Sequence, residues 1–118
     1  VRTMTHEPES GFDVDVQAYL ETTFPNAGIQ YQPRLATQRV PDFLVTFDGG
    51  DGPDMVLVVE CENDFEGVIG GASQAEMYAG HFNHGIPAVA LPEDHTETPE
   101  CDYLRRQSSV LFLEVPEA

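Results

Sequence analysis

Three carboxylates and a proline mark the stretch of this chain best suited to chemistry. Val40-Pro41-Asp42 opens one β-rich run, VPDFLVTF (40–47), and Glu60 and Glu62 close another, MVLVVECEN (55–63). The Gly/Asp/Pro cluster DGGDGPD (48–54) lies between them. Two such runs around a turn-forming cluster read as a β-hairpin. With the turn centred on Asp51, facing residues have numbers adding to about 102, which sets Asp42 across from Glu60. Side chains alternate along a strand, so Glu62 shares a face with Glu60 while Cys61 points to the other side. Facing Cβ atoms lie roughly 4.5–5.5 Å apart, and three acids are expected to converge at one end of an otherwise apolar sheet. Facing, partly buried carboxylates repel and are poorly solvated, so one pKa should rise unless a cation is present. A hard divalent ion such as Mg²⁺ relieves both problems with one or two carboxylates and several waters. A turn centre displaced by one residue would put Asp42 on the opposite face and leave ordinary solvated acids.

The elements that must position these groups follow from periodicity. Residues 11–24 (GFDVDVQAYLETTF) place Phe12, Val16, Tyr19, Leu20 and Phe24 at helical spacing before Pro25-Asn26 ends the run. A short first strand is expected within 29–35. The glycine-rich NDFEGVIGG (63–71) reads as a loop or a poor first helical turn, followed by a helix over 72–82 and a buried strand over 86–93. DHTETPE reads as a polar connection, 103–109 as a short helix and 110–115 as the last strand. The order α-β-β-β-α-β-α-β predicts an α/β fold with a mixed central sheet flanked by helices. Residues 1–10 are polar and expected to be disordered, leaving 11–118 as a single domain.

The 118 residues carry 21 Asp and Glu against five Lys and Arg, a formal charge of −16, and all five cations are arginine. A lysine-free acidic chain is the composition of proteins that work in multimolar salt. There a Debye length near ~3 Å at about 1 M suppresses self-repulsion. The alternative is an acidic partner-binding protein or a nucleic-acid mimic; the acids are spread along the chain rather than run in a block, which favours salt adaptation. Phosphate binding normally relies on Lys and Arg. In molar salt that contribution nearly vanishes, so the charge weakens DNA binding without excluding it. Cys61 and Cys101 are too few for a disulfide framework or a zinc ribbon. With no signal peptide or apolar run of membrane length, a cytoplasmic protein in a high-salt cytosol is expected.

Val40-Pro41-Asp42, followed across a hairpin by Val58-Val59-Glu60-Cys61-Glu62, resembles the PD-(D/E)xK signature of the restriction-endonuclease-like nuclease superfamily. Gln74-Ala75-Glu76-Met77-Tyr78 is similar to the QxxxY helix motif of its RecB-like branch. The resemblance spans roughly residues 11–115 and implies a restriction-endonuclease-like core. It implies Mg²⁺ (with Mn²⁺ as a substitute) on Asp42, Glu60 and the backbone carbonyl of Cys61, and a DNA endo- or exonuclease. It also implies a homodimer where two strands are cut. Glu62 stands where the family has its lysine, and no lysine elsewhere can take over that role. Some restriction enzymes of the superfamily carry an acid there, so Glu62 can accept a proton from water or contact a second ion. The same change can instead mark a catalytically inactive nuclease-fold domain that binds DNA or a protein partner.

Gln74 and Tyr78 project about 40° apart on a helix, off the stripe of Ala72, Ala75, Ala79 and Phe82, and are expected to orient the site. Phosphate contacts are expected to draw on Arg34, Arg39, Arg105 and Arg106, Arg39 especially because it is close to Pro41-Asp42. Glu21 lies where related nucleases sometimes place an extra acid, although a solvated helix face explains it as well. His81 and His84 read as surface histidines.

Overall fold

The computed structural model describes residues 7–8, 11–33, 40–64 and 67–116. The expected disorder of 1–10 falls mostly outside these residues, as do Arg34 and Arg39.

In chain order the elements are α1 (Phe12–Thr23), β1 (Gly28–Tyr31), β2 (Phe43–Phe47), β3 (Met55–Cys61), α2 (Val68–Ala79), β4 (Gly85–Pro92), a 3₁₀ turn (Glu93–His95), α3 (Pro99–Gln107) and β5 (Leu111–Val115). This is the expected mixed α/β fold, with a five-stranded sheet flanked by helices. The strands lie side by side in sequence order. β1, β2 and β3 are antiparallel, and β3, β4 and β5 are parallel. Parallel neighbours need a crossover, and α2 and α3 supply the two.

Alternation along β2 and β3 sorts the core into two layers. Phe43, Val45, Leu57 and Val59 face α1, where Val16 and Leu20 are buried against them together with Ala88, Ala90, Leu113 and Val115. Leu44 and Val58 face the other way and pack on Tyr78 and Ala79 of α2. Val68, Ala72, Val89, Leu91, Cys101 and Leu104 complete that second layer. The segment 48–54 is a turn braced by its own acids: Gly50 N–H donates to Asp48 Oδ1 and Gly49 N–H to Asp54 Oδ1.

Two helices differ from their sequence-based bounds. α2 begins at Val68 rather than 72 and ends at Ala79 rather than 82. Its first turn contains two glycines, but Val68, Gly71 and Ala72 are buried. Tertiary burial overrides the weak local propensity. α3 begins at Pro99 rather than 103, because Thr98 accepts from Cys101 N–H (3.2 Å) and proline occupies the first turn.

Of the five arginines, Arg105 and Arg106 are among the described residues. Arg105 is committed to the fold: it donates to Asp102 Oδ1 (3.0 Å) and Thr96 O (3.0 Å), and its guanidinium stacks 5.2 Å from the Phe112 ring. It is therefore not a free phosphate contact. Arg105–Asp102 is the one arginine ion pair among the described residues. With a formal charge of −16, the thermal unfolding midpoint is expected to rise by roughly 10 °C or more between low and molar KCl, about 2 kcal/mol. A midpoint that stays flat or falls with KCl contradicts salt adaptation.

Candidate active site

The β2–β3 register runs from Phe43 opposite Val59 to Phe47 opposite Met55, the alignment expected for a turn centred on Asp51. One step beyond it, Asp42 meets Glu60. The two acids interlock through the backbone: Asp42 N–H donates to Glu60 Oε2 (3.0 Å) and Cys61 N–H donates to Asp42 Oδ2 (2.8 Å). Gln32 N–H donates to Asp42 O (2.8 Å) and ties this corner to the end of β1. Each carboxylate is thus held by the other's strand, with Glu60 only 5% exposed.

The electrostatic consequence is strain. Burial, reinforced by the Asp42 charge and by Glu62 and Asp13, pushes the Glu60 carboxyl up to about 8, and the hydrogen bond from Asp42 N–H offsets this in part. Burial also raises Asp42, against the lowering effect of Cys61 N–H. Two adjacent carboxyls, poorly solvated and held by backbone amide donors, cannot both ionise cheaply.

Glu62 is near enough for its charge to raise Glu60 and for that of Asp42 to raise it, but it does not join them in a metal-holding group. Its side chain lies over the first turn of α2, where a Cβ at Gly67 would stand 2.5 Å from Glu62 Oε2 and one at Gly71 would stand 2.7 Å from Oε1. The glycines leave a seat for this carboxylate at the start of the helix, where the helix dipole favours an anion. Among the described residues no three His, Cys, Asp or Glu side chains form a metal-holding group. This corrects the expectation that Asp42, Glu60 and Glu62 together form a metal-holding set. Same-face alternation was right, but the strand ends at Cys61 and the next residue follows the helix. Gly71→Ala is expected to displace the Glu62 side chain from Cγ outward while the helix forms normally, since the atoms it would meet, Cγ and Oε1 at 2.7 Å, belong to that side chain and not to backbone. A crystal structure of Gly71→Ala with Glu62 unmoved would contradict this seat.

The Gln74–Tyr78 expectation needs a second correction. Tyr78 is 8% exposed and packs in the core with Leu44, Val58 and Ala79, whereas Gln74 is exposed. A helix lying on a sheet buries a wider face than the alanine stripe alone, and Tyr78 falls within it. Glu62 abuts Gly67 and Gly71, and Tyr78 packs on Leu44 and Val58, two residues from Asp42 and Glu60. Gln74 is bracketed between these contacts.

One acid near the site was missed by sequence reasoning. Asp13, in the first turn of α1, accepts from Tyr31 O–H (2.7 Å). It bonds the half-buried Cys61 side chain, and its charge helps to raise Asp42, Glu60 and Cys61. No spacing in the sequence signals it, because it arrives by the crossing of α1 over the sheet. Glu21, the acid on the same helix considered above, is exposed and lines a different cleft with Gln17 and Phe24.

No protein-family model matches the chain, and no curated protein matches it. Among solved structures it is similar to the crystal structure of a repair endonuclease from Pyrococcus abyssi, with a TM-score of 0.62 at 11% identity. The match covers 96% of this chain and 50% of the other, so the chain spans half the length of that protein. The likeness is one of fold.

Proposed function

We propose that this endonuclease-like fold carries a metal-dependent nuclease that hydrolyses phosphodiester bonds in DNA, with its divalent ion held between Asp42 and Glu60. The observation behind this reading is the interlocked pair. Each acid spends one oxygen on the other strand's backbone, which leaves its second oxygen for a cation. Mg²⁺ requires only one or two carboxylates beside its waters, so a pair suffices where a triad is lacking. The carbonyl of Cys61, between Glu60 and Glu62, serves as a third oxygen donor. When bound, Mg²⁺ or Mn²⁺ supplies charge for the scissile phosphate and acidifies a water.

The chain's own groups complete the chemistry. Glu62, seated at the start of α2, accepts the proton of the attacking water, a role favoured by a carboxyl that burial and the Asp42 and Asp64 charges hold above its ordinary range. Gln74, bracketed near the acid pair and exposed, donates to substrate phosphate, while Tyr78 fixes the helix against the sheet. Cutting both strands of a duplex requires two such sites and hence a homodimer. The acidic surface suits a salt-rich cytosol. DNA cleavage is expected in molar KCl with Mg²⁺ or Mn²⁺ and is abolished by EDTA. A Glu60→Ala protein that cuts as fast as wild type would sink the assignment.

A second reading has its own support. Glu62 occupies the position of the family's lysine and turns onto α2, which suits an inactive nuclease-fold domain that binds DNA or a protein. DNA binding by the wild type without any metal-stimulated cleavage decides for it.

A further inference from the structure

Asp42 and Glu60 continue the alternation of Leu44 and Val58, which pack on Tyr78 and Ala79 of α2. Cys61 instead alternates with Val59 and packs with the layer under α1. Asp13 sits in the first turn of α1, so it approaches this corner of the sheet from the face opposite the acid pair. From there it touches the ends of two strands. Its Oδ2 accepts from Tyr31 O–H at 2.7 Å, where β1 ends. Its carboxylate also bonds the Cys61 side chain, where β3 ends. A carboxylate only accepts, so the thiol is the donor.

Both of these strand ends hold Asp42. Cys61 N–H donates to Asp42 Oδ2 (2.8 Å), and Gln32 N–H, next in the chain after Tyr31, donates to Asp42 O (2.8 Å). Gln32 has φ 48°, the one positive φ outside glycine among the described residues. That left-handed conformation is unfavourable for a residue with a side chain and persists where its neighbours fix it. Tyr31 is fixed by Asp13 and by its ring, whose centroid lies 5.0 Å from that of Phe43. A carboxylate at this place adds repulsion to an already acidic corner, so packing alone does not account for it. We infer that Asp13 is a positioning residue. Through Tyr31 and Gln32 on one side and Cys61 on the other, it fixes the backbone and carboxylate of Asp42 in the orientation that receives the divalent ion. It acts through these two strand ends and is not itself a ligand.

The inference rests on the reading of Asp42 as an ion-holding residue, but the first half of its test does not. Amide hydrogen exchange is measured on metal-free protein in molar KCl. Tyr31→Phe removes the hydroxyl and keeps the ring on Phe43, and Asp13→Ala removes the acceptor. Asp13→Asn keeps an oxygen to accept from Tyr31 O–H and loses only the charge. In the first two variants the Gln32 and Cys61 amides are expected to exchange about 10-fold faster or more, with the amides of 57–59 unchanged. Asp13→Asn should stay near wild type. Titration with Mn²⁺ follows: Tyr31→Phe and Asp13→Ala should bind it about 10-fold more weakly, and Asp13→Asn within about threefold of wild type. Should Asp13→Ala not fold, Tyr31→Phe and Asp13→Asn carry the same comparison. A direct ligand or a charge acting through space gives the opposite ranking, with Asp13→Asn impaired and Tyr31→Phe like wild type, and overturns the inference. Unchanged exchange at both amides in Tyr31→Phe and Asp13→Ala overturns it too, as does faster exchange with undiminished Mn²⁺ affinity. A wild type that shows the exchange pattern and binds no Mn²⁺ would keep the anchoring of Asp42 and sink the nuclease reading alone.

Discussion

Asp42→Asn is expected to lower metal-dependent DNA cleavage by about 10³-fold, close to 4 kcal/mol of transition-state stabilisation, without disturbing the fold. The substitution is chosen for its geometry. An asparagine Oδ1 still accepts from Cys61 N–H, the bond that Asp42 Oδ2 makes at 2.8 Å. The Asp42 backbone N–H still donates to Glu60. What disappears is the negative charge that a divalent ion needs, and with it the charge neutralisation the ion brings to the phosphate. An unchanged melting temperature with lost cleavage is the expected pair of results. Cleavage within about threefold of wild type would mean that the ion, if any, is held elsewhere.

The second large effect concerns stability. In the unfolded chain Glu60 titrates near 4.5, and in the folded protein near 8. Below 4.5 both states are protonated and the buried carboxyl has no cost. As pH rises, the unfolded chain ionises first, so stability drains away until the folded carboxyl also ionises near 8. A rise of that size corresponds to no more than about 5 kcal/mol. Glu60→Gln keeps an oxygen to accept from Asp42 N–H and has no charge to bury. In metal-free buffer of constant molar salt it is expected to melt with wild type at pH 4.5 and at least about 8 °C above it at pH 8, some 2 kcal/mol. Saturating Mn²⁺ at pH 8 should reverse the order, because only the wild type has the second carboxylate to bind it. A difference between the two proteins that is the same at both pH values would show that burial of Glu60 carries no charge penalty.

The readable part of the chain is the part set by local alternation. The hairpin register follows from a turn at 48–54 and a strict period of two on both sides. A one-residue error would have exposed Phe43, Val45, Leu57 and Val59, all buried against α1. The order of elements was legible for the same reason, since each apolar run is bounded by turn residues. What escaped depends on where elements meet. Glu62 left the strand for the glycines of α2, and that contact also explains why a helix starts on a sequence that locally reads as a loop. Tyr78 is buried although it lies off the alanine stripe, because a sheet covers more of a helix than that stripe. Asp13 reaches the site only through the crossing of α1, which no period along the chain encodes. The start of α3 lies in Thr98-Pro99-Glu100, a helix N-terminus whose polar residues read locally as a connection.

Calorimetric titration of metal-free protein with Mn²⁺, in molar KCl near pH 8, addresses the central claim without requiring turnover. Wild type should bind Mn²⁺, Asp42→Asn and Glu60→Gln should each weaken it at least about 100-fold, and Glu62→Gln should retain it within about 10-fold. Equal affinity in wild type, Asp42→Asn and Glu60→Gln would contradict a cation held between these two strands.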